Sequence, residues 1–214
     1  MAAKSALSDT YHHGALRAAL LEAAEAILRE GGLEAFTLRE CARRAGVSHA
    51  APAHHFGDAR GLLSACAAAG FERLSDLMQR YADREQGALE RVRAAGVAYV
   101  DFALRNRALF QLMFRRDRLD PEHEELKAAG KRTGDLLRQI IDEVIVERGL
   151  APQELGQRIL LVWSLVHGYA TLVLEDQCAD LFGLDTAHTR AASRMGDELL
   201  RLLETGLAAP ARRL

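Results

Sequence analysis

Three histidines and one proline fall within an eleven-residue stretch, SHAAPAHHFGD at 48–58. Imidazoles at this density can bind a metal, transfer protons or contact an acidic polymer. Because His54 and His55 are adjacent, they point about 100° apart on a helix and do not easily share one coordination sphere with His49. We therefore predict no metal site here, and the neighbouring elements must decide between the remaining uses.

The surrounding chain has the periodicity of helices. Apolar residues recur at spacings of three and four, only four prolines interrupt them, and no alternating run rich in Val, Ile and Thr stands out. The sequence predicts an all-α fold of about nine helices. The first is expected at about 14–30, and the last five at 87–106, 107–116, 121–148, 153–176 and 187–208.

The histidine-rich stretch lies between two predicted helix starts. Thr37 and Glu40 have the spacing of a capping box, in which threonine accepts an amide hydrogen bond and glutamate reaches back to the cap. Gly46 can take a positive φ and end that helix, after which Ser48 is expected to cap the next one. A short helix, a glycine turn and a second short helix form the pattern of a helix-turn-helix. Asp58 is then expected to cap a longer helix.

These elements predict two domains. Residues 1–58 are expected to form an N-terminal three-helix domain that contains the helix-turn-helix. Residues 59–214 are expected to form a C-terminal helical domain, and a helix at 58–84 links the two.

Composition limits the possible functions. Lys and Arg total 28 against 30 Asp and Glu, a net charge of -2, so binding to nucleic acid would need a local basic patch. Cys41, Cys66 and Cys178 are odd in number and far apart, which suits core residues in a reducing compartment. The apolar stretch at 159–174 is short for a membrane span, and the N-terminus lacks a signal-peptide pattern. We expect a cytoplasmic protein with no membrane partner, no catalytic residues and no cofactor, because neither a nucleophile elbow nor a phosphate-binding glycine loop is present.

Residues 14–74 resemble the DNA-binding region of TetR-family transcriptional regulators. The resemblance rests on the threonine-capped helix, the AGVS turn at 45–48, and HFGD at 55–58 followed by Leu62-Leu63. Downstream, LMF at 112–114 and WSLVHG at 163–168 are similar to the subgroup whose C-terminal domain carries a Trp-x-x-x-His-Gly signature.

The resemblance agrees with what a capped short helix can do, because such a helix fits a major groove about 12 Å wide. The segment 48–54 is then the reading element, and the imidazoles face a phosphate polymer. In the family pattern, His55 lies near the DNA backbone and Phe56 packs on the first helix. The predicted DNA-binding residues are Thr37, Arg43, Arg44, Ser48, His49, Ala50, Pro52, Ala53, His54, His55 and Arg60.

Two positions depart from the family pattern. Relatives usually carry an aromatic residue where this chain has Ala53 and a basic residue where it has Ala59. Arg60 and His54 are expected to compensate, and Lys4, Tyr11-His12-His13 and Arg17 could add an N-terminal arm. The departures leave open an alternative, a helical dimer that binds a small molecule or protein partner and has little affinity for DNA.

Aromatic and sulfur residues recur in the C-terminal half. Most fit a plain apolar core, but His167 lies one turn from Trp163 in an apolar helix and needs either a core partner or a ligand. If these aromatic and sulfur residues line a pocket, we expect it to bind an aromatic or amphipathic small-molecule effector. The predicted lining residues are Phe102, Phe110, Met113, Phe114, Trp163 and His167.

The last two long helices are apolar on more than one face. We therefore predict a homodimer in which the helices at about 153–176 and 187–208 of each copy form a four-helix interface. The combined prediction is a homodimeric regulator, acting as a repressor, that binds a palindromic double-stranded DNA operator and releases it when an effector binds.

Overall fold

The computed structural model describes residues 3–184 and 189–208. Within these ranges the chain forms ten α-helices and three short 3-10 helices and has no strand, which confirms the all-α prediction. The helices are α1 Ala3–Gly31, α2 Leu38–Arg44, α3 Ala51–Phe56, α4 Ala59–Ala82, α5 Ala88–Arg105, α6 Arg107–Met113, α7 Glu124–Arg148, α8 Leu155–Leu174, α9 Gln177–Phe182 and α10 Thr189–Ala208.

Three boundaries differ from the sequence prediction. Helix α1 begins at Ala3 rather than near residue 14. Helix α7 begins at Glu124, because a turn at Asp120 precedes it and the Nδ1 atom of His123 accepts the Leu126 amide at 3.3 Å. Helix α9 was not predicted, and Asp185, expected to begin the last helix, lies outside the described residues.

The chain divides into two compact units. The first unit contains Met1–Gly70 and Ala108–Ala129, and the second unit contains Phe71–Arg107 and Gly130–Leu214. This division differs from a boundary at residue 58, because it falls within α4 and assigns a later stretch to the first unit. The two-domain boundary at 58–59 stays a prediction.

In the first unit, α1 packs on α2, and α2 packs on α3. Leu20, Ala24 and Ile27 form the buried stripe of α1. The Sγ atom of Cys41 lies 3.2 Å from the Leu20 carbonyl oxygen, so this thiol is a core group. Helix α1 ends at Gly31, and Gly32 follows with a φ of 68° that favours glycine.

The ends of the short helices are set by side-chain caps and by one glycine. Thr37 Oγ1 accepts the Glu40 amide at 3.1 Å, and Gly46 has a φ of 67°, as predicted. The predicted cap at Ser48 is wrong: the N-cap of α3 is Ala50, and the Ser48 carbonyl accepts the Ala51 amide in a preceding turn. Asp58 does cap α4, since its Oδ1 atom accepts the Gly61 amide at 2.9 Å.

The second unit is built around α5, which packs on α8 and α10. A Cβ on Gly96 would lie 2.7 Å from the Leu200 Cδ1 atom, so the absent side chain lets α5 approach α10 closely. Tyr169 on α8 donates its hydroxyl to the Ala192 carbonyl on α10 at 2.6 Å. Small residues and one buried hydrogen bond therefore hold these helices together.

Helix α8 lies in the longest apolar segment. Pro152–Leu174 has 23 residues and a mean hydropathy of 1.3, which is enough by length and composition to cross a membrane. The apolar stretch at 159–174 is the C-terminal part of this segment. A core helix of a soluble protein passes the same test, and α8 buries Val162, Val166 and Ala170 within the second unit.

Candidate functional site

The turn before α3 and the outer face of α3 carry the predicted reading residues. Ser48, His49 and Ala50 in the turn are exposed, and so are Ala53 and His54 on the helix. These side chains are accessible from the surface of the first unit. The structure thus brings five of the predicted DNA-binding residues together on one short segment.

Other residues of this segment serve the core. Pro52 is fully buried, which makes its predicted role as a DNA contact wrong, because a ring without accessible surface cannot touch a ligand. Proline has no amide hydrogen, and it fits the first turn of α3 because amides there have no partner within the helix. His55 and Phe56 are half-buried, and the Arg17 guanidinium on α1 lies 5.5 Å from the Phe56 ring centroid.

Glu40 binds both arginines that were expected to contact phosphate. Its carboxylate accepts from Arg43 Nε at 2.7 Å and from Arg44 Nε at 2.8 Å. Arg44 also donates to Glu30 on α1 at 2.6 Å. The expected reach of Glu40 back to the Thr37 cap is therefore wrong, since these guanidinium groups offer its carboxylate stronger, charge-assisted hydrogen bonds.

The ion pairs shift the ionisation of this cluster. Hydrogen bonds from Arg43 and then Arg44 lower the pKa of Glu40 from 4.5 to about 2. The same contacts raise the pKa of each guanidinium. Arg43 keeps 67% of its side chain exposed and Arg44 keeps 28%, so both remain open to exchange of a carboxylate for another anion.

Two other basic residues of the first unit, Arg60 and Arg17, also have partners. Arg60 donates to the Leu119 carbonyl, and Arg17 pairs with Glu125. The side chains of Lys4 and Tyr11-His12-His13, the predicted arm, lie outside the described residues. Arg43 and Arg44 lie three and four residues after Glu40, a helical spacing that could have predicted these ion pairs from the sequence. No local spacing predicts the contacts with Leu119 and Glu125, because these residues are far away in the chain.

The predicted effector residues divide between the two units. In the first unit, Phe110 and Met113 are buried, and the Phe110 and Phe114 ring centroids lie 5.1 Å apart. In the second unit, Phe102 is buried and His167 is half-buried. The proposed pocket lining therefore remains a prediction, with each group of residues described within its own unit.

His167 has a core partner. Its Nδ1 atom lies 2.9 Å from the Tyr99 hydroxyl, and burial lowers the pKa of the imidazole. Burial also raises the pKa of Tyr99 above its ordinary value, so both groups are neutral at pH 7. Trp163 lies beside this imidazole, at 5.9 Å between ring centroids, yet is 43% exposed.

Two family models match the chain. Residues 20–66 match a model described as bacterial regulatory proteins, tetR family. Residues 92–199, half of the chain, match a model described as tetracyclin repressor-like, C-terminal domain. The chain belongs to the TetR family. It is therefore a DNA-binding transcriptional regulator by family.

Solved structures agree with the TetR assignment. A protein with unknown function from Rhodococcus sp. RHA1 is 35% identical, with a TM-score of 0.75, over 93% of this chain and 98% of that one. A TetR-family transcriptional regulator from Pectobacterium atrosepticum has 22% identity and a TM-score of 0.68, over 94% of this chain and 98% of that one. No curated protein matches the sequence.

TetR-family proteins are regulators and generally not enzymes. Among the residues that the structure describes, no group of three His, Cys, Asp or Glu side chains is placed to hold a metal ion. Cys41, Cys66 and Cys178 are all buried thiols, as expected of core residues. The candidate functional surface of this TetR-family chain comprises its exposed turn, the outer face of α3 and the Glu40 ion-pair cluster.

The Glu40 cluster predicts an unusual carboxyl titration. The pKa of Glu40 is expected at about 2 in the folded protein, because Arg43 and Arg44 donate to its charged form. A lowered pKa means that this stabilisation is complete above the ordinary value of 4.5 and is lost as the pH falls toward 2. Side-chain carbon-13 NMR against pH measures the value. Arg43→Gln should raise it and the α1 control Arg29→Gln should not; an ordinary Glu40 pKa in the parent protein would contradict the ion pairs.

Proposed function

We propose that this TetR-family chain is a homodimeric repressor that binds a palindromic operator and releases it when a small molecule binds. The observation that carries the proposal is the exposed set His49, Ala50, Ala53 and His54, presented by a short helix and the turn before it, between two capped helices. Exposed imidazoles and methyl groups on such a helix suit base edges and thymine methyls in a major groove.

Phosphate binding in this proposal proceeds by exchange. Arg43 and Arg44 are held by Glu40 in the free protein, and a DNA phosphate must replace a carboxylate oxygen to engage either guanidinium. Thr37, exposed at the start of α2, is the proposed backbone contact beside them. The exchange limits how much electrostatic affinity each arginine adds.

The partners of the basic residues also favour a second candidate function. Arg17, Arg43, Arg44 and Arg60 each have an acidic or carbonyl partner within the first unit. A helical dimer that binds a small molecule or protein and has little DNA affinity fits this neutralised surface. Operator selection, described below, distinguishes the two candidates.

The exposed apolar residues of the second unit support a dimer interface. Leu160, Leu161 and Trp163 on α8 are exposed, as is Leu202 on α10, which has 77% of its surface accessible. Large apolar side chains grouped on two helices mark an interaction surface. Dimers are typical of the family, and we propose that α8 and α10 pair with their copies across a two-fold axis.

The effector is proposed to bind through the two predicted groups of aromatic and sulfur residues, with α4 as the link to the reading element. Helix α4 contributes residues to both units, so a shift of this helix would reach the first unit. We also propose that the chain has no enzymatic activity and acts in the cytoplasm. Trp163, His167 and Gly168 support membership of the Trp-x-x-x-His-Gly subgroup.

Selection of bound sequences from a random duplex library tests the proposed operator function. The purified protein should enrich a consensus with two-fold symmetry, with half-sites about 34 Å apart or a multiple of that distance, because a symmetric dimer presents two copies of α3. His54→Ala should change base preference within each half-site. Absence of enrichment at low salt would favour the second candidate function.

If phosphate replaces the Glu40 carboxylate, removal of the carboxylate and removal of an arginine should have opposite effects on DNA affinity. Glu40→Gln should tighten DNA binding and steepen the salt slope by about one unit, because a guanidinium is freed and a negative charge is removed. Arg44→Ala should weaken binding and flatten the slope by about one unit. Titrations of operator DNA at several salt concentrations measure both changes.

The matched control for Glu40 is Glu22→Gln, which removes the same charge from an exposed position on α1. This control should leave the salt slope near that of the parent protein. If Glu40→Gln weakened binding while the fold was retained, the ion pairs would hold the arginines in their binding positions and the exchange scheme would be wrong.

The dimer interface predicts that charge on α8 and α10 dissociates the protein. Leu161→Glu with Leu202→Glu should give monomers in analytical ultracentrifugation, because two carboxylates would be buried per protomer without partners. Val146→Glu is the control, since Val146 is 75% exposed on α7 and lies off the proposed interface. The single tryptophan, Trp163, should shift its emission to the red on dissociation. A dimer that persists in the double variant would place the interface elsewhere.

A further inference from the structure

The second unit contains an open cleft outside the predicted effector residues. It has a volume of about 680 Å³ and lies between the C-terminal end of α4, one side of α5 and one side of α10. On α5 its lining residues recur every four positions, at Arg93, Val97, Asp101 and Arg105. One continuous stripe of α5 therefore forms one wall.

The opposite wall comes from a stripe of α10. Arg190, Ser193, Arg194 and Asp197 line it, at spacings of three and four residues that share one helix face. Leu202 is five residues from Asp197 and so lies about 140° around the helix. Ser193 and Asp197 of the cleft therefore lie on a different side of α10 from Leu202.

Ion pairs and hydrogen bonds fix the direction of the two walls. Arg93 donates to Asp197 at 2.7 Å, whereas further along α5 the Asp101 carboxylate accepts from Ser193. As residue numbers rise on α5 they fall on α10, so the helices run antiparallel. Arg105, one turn beyond Asp101, is thus brought toward Arg190.

The two ends of the cleft differ in how their charges are satisfied. At one end, Arg93 is bound by Asp197 and lies 3.4 Å from a Glu204 carboxylate oxygen. Arg105 and Arg190, toward the other end, and Arg194, between the two ends, have no ion-pair or hydrogen-bond partner among the residues that the structure describes. These three exposed guanidinium groups form the cationic part of the cleft.

Asp101 does not serve these three arginines. Its side chain belongs to a residue that is only 8% exposed, and its two oxygens accept from Ser193 and, at 3.4 Å, from Tyr81. These contacts hold the carboxylate in the cleft wall.

We propose that this cleft binds a small molecule with a phosphate or a pair of carboxylates, held by Arg105, Arg190 and Arg194. The planar guanidinium group donates paired hydrogen bonds that match both anions. The uncharged part of the molecule lies toward Val97 and Tyr81. This binding requires neither operator DNA nor the aromatic residues predicted for the effector, so it stands or falls independently of the proposed function.

Calorimetric titration of the full chain with two probes, inorganic phosphate and citrate, tests the site. At constant ionic strength, at least one probe should bind with a stoichiometry of one per protomer and a Kd below about 1 mM. Binding of phosphate alone would identify the ligand group as a phosphate, and binding of citrate alone would identify it as a polycarboxylate. Arg105→Gln and Arg194→Gln should each weaken the bound probe about tenfold, as loss of a charge-assisted hydrogen bond requires.

Arg138→Gln is the matched control, because it removes the same charge from an exposed position on α7 of the same unit. It should leave probe affinity unchanged. Failure of both probes to bind, or equal weakening by Arg138→Gln and Arg194→Gln, would overturn the proposal. An effect of Arg194→Gln on duplex DNA binding, with no small anion bound, would also overturn it. Circular dichroism of each variant verifies that the fold is retained.

Discussion

The carboxylate of Glu40 is the constraint on which the first unit depends. It binds two guanidinium groups at the end of α2, and Arg44 extends the cluster to Glu30 on α1. The cluster fixes the side chains of α2 relative to α1 and, by the same contacts, neutralises the charge that a polyanion would seek. Attachment of α2 to α1 and electrostatic attraction to DNA therefore oppose each other at one residue.

This opposition explains why a chain with a net charge of -2 can belong to a DNA-binding family. Affinity that rests on many free cations would be strong on every sequence, because phosphate contacts carry no base information. An arginine held by a carboxylate contributes to DNA affinity only the difference between its phosphate contact and the carboxylate contact that it gives up. In the proposed function, a larger share of the binding energy then comes from His49, Ala50 and His54, whose proposed contacts depend on the bases.

The sequence predicted the elements that depend on local interactions. The Thr37 cap, the positive φ at Gly46 and the Asp58 cap each involve residues within a few positions of one another, and all three are present. The predictions at Ser48 and Pro52 failed because the tertiary position of α3 decided which group caps it and which ring is buried. Contacts such as Arg60 to Leu119 link residues far apart, and no spacing rule reveals them.

In the second unit, α5 and α10 pack closely through one face and form ion pairs and hydrogen bonds through the adjacent face. Gly96 lets α5 approach Leu200 of α10 closely. Gly196 of α10 in turn leaves space for Tyr169 of α8 and Val100 of α5. Close approach brings the neighbouring polar stripes into register, so Arg93 meets Asp197 while Asp101 meets Ser193. Among the described residues, Arg105, Arg190 and Arg194 then have no carboxylate partner in this register. Their place in one cleft is thus a consequence of how small residues set the helix register, and it could not be read from either helix alone.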